Sequence, residues 1–299
     1  SAALWFEALS IFLKGLGFVP SPLDECVLIL TTVVGVMIII LYVDDILILA
    51  DKEVMVAWLL RELEDEYETI VSDTSDSFTY LGMVVSKLKD GSITVHMGGY
   101  IENMIKEWEE HSKIREVITP TTQDLFEIDE SQPDLSADMA KKFHTTTAKL
   151  LYLCKRARPD VQLPVLFMCT RVQKPLLGDK QKLDRILGHL KKTIHRRRRI
   201  GGVGKSNRLE CYIDASFSIH PDGKGHTGMV IMWGGACIMI TCRKQKICTK
   251  NSTESEMVGV SDSYDEVEWT QDFIESLGHK LNTPILFQDN QSTITIVLE

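Results

Sequence analysis

Two sets of carboxylates in this sequence are spaced for metal chemistry. The first is Tyr42-Val43-Asp44-Asp45, set between the aliphatic runs 37–41 and 46–50. Adjacent carboxylates about 4 Å apart repel by roughly 4 kcal/mol at an effective dielectric near 20. A divalent cation cancels that repulsion and turns the pair into a binding site. The same residues also suit an ordinary turn between strands, where aspartate is common, and the tetrapeptide alone leaves both readings open. The second set is Asp214, Glu256 and Asp289. Leu209, Cys211 and Ile213 share one strand face, which places Asp214 on the opposite face at the strand end. Glu256 falls in the first turn of a long helix, and Asp289 ends the strand that follows. Acids at three such stations can converge on one side of a sheet. They supply the oxygen ligands that magnesium prefers, and two ions about 4 Å apart support phosphodiester hydrolysis. Glu254 sits about 200° around the helix from Glu256, so only one of them can face Asp214.

The elements that would hold these acids follow from periodicity and punctuation. An amphipathic helix is expected over 5–16, closed by glycines 15 and 17. Strands at 26–34, 36–43 and 46–50 come next, then a charged helix at 53–67. Segments 78–86 and 93–96 read as a hairpin across Asp90-Gly91, followed by a helix at 100–111. Residues 119–138 are acidic, with two prolines, and read as a linker. Helices are expected at 137–156, 159–172 and 179–193, then the basic run 195–199 and glycines 201, 202 and 204. After that the pattern alternates as strands do: 209–216, 228–233 and 236–249, a helix at 253–277, and a strand at 285–288.

Composition narrows the function classes. A chain of 299 residues that is 44% hydrophobic can bury one large core or two to three smaller ones. The uncharged stretch 26–43 approaches membrane-spanning length, but its Val, Ile and Thr content, Gly35 and the abutting aspartates suit two buried strands. A membrane role is rejected. Seven scattered cysteines without a Cys-x-x-Cys pair read as reduced thiols of an intracellular protein. Cys237, Cys242 and Cys248 with His220 and His226 fit no zinc spacing. The net charge of −9 hides a strong segregation: 141–200 carry 17 Lys/Arg against 3 Asp/Glu, while 51–140 carry 7 against 21. A block this basic is the footprint of a phosphate-backbone contact, the plain alternative being a solvated helical face.

Several strings together resemble one family. They include Leu4-Trp5-Phe6-Glu7-Ala8-Leu9 with Leu16-Gly17-Phe18, then Leu41-Tyr42-Val43-Asp44-Asp45-Ile46-Leu47, Tyr80-Leu81-Gly82-Met83 and Tyr100-Ile101. Further along come Leu150-Leu151-Tyr152-Leu153, Arg158-Pro159-Asp160 and residues 187–193. The last are Tyr212-Ile213-Asp214-Ala215-Ser216, Arg243-Lys244-Gln245-Lys246, Ser252-Thr253-Glu254-Ser255-Glu256 and Gln288-Asp289-Asn290-Gln291-Ser292. In order and spacing the chain resembles the reverse transcriptase–ribonuclease H region of copia-type retrotransposon polyproteins, over essentially its whole length.

The resemblance implies an α+β chain in three parts. These are part of a reverse-transcriptase palm and thumb at 1–118, an acidic linker and basic helical connection at 119–204, and a ribonuclease H-like mixed sheet with helices at 205–299 that is incomplete at its C-terminal end. The implied parent activity is RNA-directed DNA polymerisation with magnesium-dependent hydrolysis of RNA in RNA–DNA hybrids. Asp44 and Asp45 would be polymerase metal carboxylates. Asp214, Glu256 and Asp289 would hold the ribonuclease H metal, Mg2+ with Mn2+ as the alternative ion. The family pattern favours Glu256 over Glu254, which would instead favour the helix N-terminus as an anion. Arg156, Arg158, Arg196, Arg197, Arg198 and Arg199 would track a hybrid backbone. The implied partners are an RNA template, DNA, RNA–DNA hybrid and the rest of the polyprotein, in a cytoplasmic particle or the nucleus. The family's polymerase needs a further aspartate and fingers upstream of Ser1, and its ribonuclease H a further acid and a final helix beyond Glu299. The chain is therefore expected to be a piece of a polyprotein that does not polymerise DNA alone. The competing expectations are an inactive or repurposed nucleic-acid-binding remnant and a cellular ribonuclease H with an unrelated N-terminal domain, the latter disfavoured by the polymerase motif.

Overall fold

The computed structural model describes residues 2–201, 204 and 206–299, so Gly202 and the expected boundary at Lys205 lie outside the described residues. The chain mixes helices with several separate sheets and forms two compact units. One comprises the chain up to Leu81 with residues 268–282; the other comprises 82–267 with 283–299. The expected divisions at 118/119 and 204/205 both fall within the second unit.

In the first unit, Val19–Pro20, Val27–Thr31, Val36–Tyr42 and Asp45–Ala50 form an antiparallel sheet in sequence order. Met37, Ile39 and Leu41 point inward at strand period. Leu9 and Leu13 from helix Ala2–Gly15 and Met55, Leu59 and Leu63 from helix Glu53–Tyr67 close over them. Each such buried side chain contributes about 1.5–3 kcal/mol relative to exposure. The uncharged stretch thus becomes two strands joined where Thr32 N donates to Gly35 O (3.0 Å). Among the described residues no helix is long and apolar enough to cross a membrane.

The second unit has a helical part built from Gly98–Glu109, Ala137–Arg156, Gln162–Arg171 and Leu177–Lys192 around Phe143, Leu150, Phe167, Leu183 and Leu187. The expected helix at 159–172 begins as a single 3-10 turn, Pro159–Val161, because proline keeps the preceding Arg158 out of the helical conformation (φ −129°, ψ 63°). Gly188 is a packing requirement: a Cβ there would lie 2.1 Å from the Arg115 carbonyl oxygen. Residues 119–136 carry no regular element but are not a free linker. Leu125 is buried, Phe126 packs edge-on against Phe167 with ring centroids 5.1 Å apart, and Lys182 Nζ donates to Leu125 O (2.9 Å).

The basic run also folds differently from expectation. Arg198–Ile200 is a strand, antiparallel to Ile93–His96, with Val95 opposite Arg198. The expected strand at 78–86 divides into Ser77–Tyr80 and Met83–Lys87, because Leu81 (φ 49°) and Gly82 (φ 74°) turn between them.

The remaining sheet has the order Ala236–Lys244, His226–Trp233, Arg208–Ser216, Asn282–Phe287, with the first three strands antiparallel. Its third strand in sequence stops at Lys244 rather than 249, because Gln245 turns inward and is 1% exposed. The helix Ser252–Ser276 follows, and a last helix, Gln291–Leu298, was not anticipated.

Candidate metal centre and basic surface

Ligand oxygens of Asp214, Glu256 and Asp289 lie within 4.8 Å of one another, the only such group of His, Cys, Asp and Glu among the described residues. Each acid is placed by a separate element. Leu209, Cys211 and Ile213 are buried on the inner strand face, which leaves Asp214 exposed on the other. Glu256 is held close because Gly259, one turn on, lets the helix approach the sheet: a Cβ there would sit 3.2 Å from Ala215 Cβ. Asp289 does not end the strand as expected. It lies two residues past Phe287, in the loop capped by Asn290, whose side chain accepts from Thr293 N (3.0 Å).

Two glutamines that sequence reasoning missed fix this arrangement. Gln288 Nε2 donates to Glu256 Oε2 (3.0 Å), while its Oε1 accepts from the backbone N–H groups of Asp289 (2.8 Å) and Asn290 (2.9 Å). One carboxamide therefore ties the helix acid to the loop acid. Gln245 Nε2 donates to Thr227 Oγ1 (3.0 Å) and Ser255 O (2.8 Å), which anchors the residue before Glu256 to the sheet. Both belong to family strings, but only tertiary contact reveals their roles.

Burial pushes the Glu256 carboxyl above its usual range, and the nearby Asp214 and Asp289 charges raise it further, against the Gln288 hydrogen bond. Three carboxylates gathered with one of them buried suit a hard divalent ion. Glu254 faces elsewhere. Its carboxylate accepts from Lys250 N (2.8 Å) and its own N–H donates to Asn251 Oδ1 (2.9 Å), so it secures the helix N-terminus. Replacing Gln288 by Leu is expected to weaken Mn2+ binding by about 10–100-fold, the usual effect of removing a ligand's support. Titration of the chain followed by electron paramagnetic resonance checks this, and unchanged affinity would remove Gln288 from the centre.

Asp44 and Asp45 are exposed at the tip of a hairpin in which Tyr42 pairs with Asp45 across a two-residue loop. Val43 in that loop has φ 53°, a left-handed conformation unfavourable for a β-branched residue. Among the described residues no third metal-ligating side chain joins the pair. The cysteine–histidine grouping does not assemble either: His220 Nε2 and His226 Nδ1 face each other at 3.0 Å, and Cys248 Sγ donates to Asp222 O (3.5 Å).

The arginines expected to track a backbone are largely engaged within the chain. Arg158 is 2% exposed; it binds both Asp160 oxygens (2.8 and 2.7 Å) and the carbonyl and hydroxyl of Thr193 (3.2 and 2.6 Å). Its guanidinium is thus engaged within the chain. Arg198 donates to the carbonyls of Arg156 (3.2 Å), Cys237 (3.0 Å) and Ile238 (3.2 Å). Arg199 pairs with Asp90, and Arg196 with Asp160 (3.2 Å). Lys149 pairs with Glu107 and Lys191 with Glu109 (2.5 Å). Part of the charge segregation is met inside the unit, where Asp90, Glu107 and Glu109 pair with Arg199, Lys149 and Lys191. Arg197 stays exposed, and Arg156 is half-buried with its guanidinium 3.6 Å over the Tyr152 ring.

Residues 1–123 match the family model described as reverse transcriptase (RNA-dependent DNA polymerase). The chain is 23% identical to the retrovirus-related Pol polyprotein from transposon TNT 1-94 of Nicotiana tabacum, an alignment covering 98% of this chain and 22% of that protein. It is 25% identical to the corresponding polyprotein from transposon RE1 of Arabidopsis thaliana, over 96% of this chain and 19% of that protein. Over nearly its whole length the chain is thus similar to retrotransposon Pol polyproteins, and its first 123 residues match the reverse transcriptase family. It is also 26% identical to a transposon Ty5-1 protein of Saccharomyces cerevisiae, covering 88% of this chain and 84% of that protein. The chain spans about a fifth of the two plant polyproteins. The family match ends at 123, so the carboxylate cluster lies outside it.

Proposed function

We propose that the C-terminal part of this chain is a ribonuclease H-like unit that hydrolyses the RNA strand of RNA–DNA hybrids with Mg2+, within a polyprotein whose parent activity is RNA-directed DNA synthesis. The observation that carries the hydrolytic reading is the convergence of Asp214, Glu256 and Asp289. The strand order around it supports the reading: the strand bearing Asp214 lies centrally, between the strand that leads to Asp289 and the hairpin partner. Asp214, Glu256 and Asp289 would hold the metal, which when bound supplies Lewis-acid stabilisation to a phosphodiester under attack. Asp214 and Asp289 are exposed, so a backbone phosphate can reach them from solvent, while the sheltered Glu256 is oriented by Gln288.

The family match at 1–123 supports the polymerase ancestry of the Asp44–Asp45 hairpin. In this reading residues 1–118 derive from the palm and thumb, and Asp44 and Asp45 supply two metal carboxylates for nucleotidyl transfer on an RNA template. The test is cleavage of an end-labelled RNA strand paired with DNA. The expected result is cutting in Mg2+, none in EDTA, and none of a DNA duplex of the same sequence. Metal-independent cutting, or equal cutting of both duplexes, would overturn the proposal.

A further inference from the structure

A groove of about 420 Å3 lies between helices Gly98–Glu109 and Ala137–Arg156, lined by Tyr100, His144, Thr145, Ala148, Lys149 and Tyr152. It is far from the expected arginine run in sequence and shares no residue with the carboxylate cluster. One wall is aromatic: the Tyr100 and Tyr152 rings sit 5.7 Å apart, and Tyr100 Oη donates to Lys149 O (3.3 Å), which fixes the ring against the helix. Arg156 extends that wall with its guanidinium stacked on Tyr152 at 3.6 Å. The floor is small and exposed, made by Thr145 and Ala148 one turn apart. The same helix presents Lys141, His144 and Lys155 to solvent, while its only acid, Asp138, is held by Lys142 at 3.1 Å.

An aromatic wall that continues into a guanidinium, a floor without long side chains, and the exposed Lys141 and Lys155 on the same helix make a specific combination, while Lys149 in the groove is paired with Glu107 of the facing helix. Flat bases stack on such a wall regardless of sequence, and cations alongside follow the phosphates. A duplex would present its bases already stacked and could use only the cations. We propose that this groove binds an unpaired nucleic-acid strand, such as the single-stranded tail continuous with a hybrid, by stacking on the Tyr100–Tyr152–Arg156 wall. The proposal rests on the reading that the chain handles RNA–DNA hybrids and names a second contact for that substrate.

The test is fluorescence anisotropy with the full chain and two probes, a blunt RNA–DNA hybrid and the same hybrid with a single-stranded tail. The wild-type chain should bind the tailed probe about 10-fold more tightly, within the range of one stacked base. Ala148→Glu, which fills the floor, should bring the two affinities within about 2-fold of each other, and His144→Ala should reduce the preference partially. The ratio between probes is the readout, since a change in net charge acts on both. Melting temperature checks that each variant is folded, and both positions are exposed on a helix. No preference in the wild type, a preference that survives both substitutions, or equal competition by an acidic peptide would overturn the groove assignment. Loss of Mg2+-dependent cleavage with the tail preference intact would instead overturn the hydrolytic reading and leave the groove standing.

Discussion

Glu256→Gln is expected to lower RNA-strand cleavage by more than the roughly 100-fold that typically follows loss of a residue merely supporting a metal ligand. Glu254→Gln should leave the rate within about 3-fold, since the amide keeps an acceptor for a peripheral hydrogen bond. The two residues are separated by a single serine and have opposite surroundings. Glu256 is 6% exposed, within reach of Asp214 and Asp289, and receives the Gln288 amide. Glu254 is occupied with the backbone N–H of Lys250, outside the cluster. Single-turnover cleavage of the hybrid by both variants, with circular dichroism as the folding control, separates them. The reverse pattern would mean that the helix presents its other face to the metal.

Arg158→Ala should destabilise the second unit by about 1.5–3 kcal/mol, the usual scale for losing hydrogen bonds that involve a charged group. The guanidinium satisfies four acceptors at once, on Asp160 and Thr193, at the junction of two helices. Without it, Asp160 and the Thr193 carbonyl lose their principal donor. Arg158→Lys should recover only part of the loss, since an ammonium cannot reproduce the two-pronged geometry. Acid sensitivity follows from the same network. Burial alone would raise the Asp160 carboxyl, but Arg158 and His189 hold it down to about 2. Its folded value lies below the ordinary 3.8, so this contribution is complete above about pH 4 and is lost as the pH falls toward 2. Urea denaturation at pH 7 and pH 3 measures both effects. An unchanged midpoint for Arg158→Ala would show that the buried guanidinium adds no stability.

The sequence made the local elements and the polar–apolar strand faces largely legible. Helix Glu53–Tyr67 and the burial of Leu209, Cys211 and Ile213 follow from short-range pattern, and the structure agrees with it. Asp214, Glu256 and Asp289 were named from their stations on strand, helix and loop, and they do come together. The long-range polar contacts were not legible. Gln245 and Gln288 look like unremarkable amides in sequence, and only the fold shows what each carboxamide bridges. The pairing within the basic block is illegible for a related reason: composition shows its excess of positive charge, and only the fold shows that Asp90, Glu107 and Glu109 meet part of it inside the unit. Helix Gln291–Leu298 carries one short-range signal, Asn290 as N-cap to Thr293 three residues on.

The measurement that bears most directly on the carboxylate cluster is cleavage of an end-labelled RNA–DNA hybrid by the wild-type chain and by Asp214→Asn, each in Mg2+. Asp214 is exposed on a strand whose opposite face is buried, and asparagine matches its shape, so the variant should fold as the wild type does. The expected result is cutting of the RNA strand by the wild type and none by the variant. Cleavage that persists undiminished in Asp214→Asn would contradict the metal centre proposed at Asp214, Glu256 and Asp289.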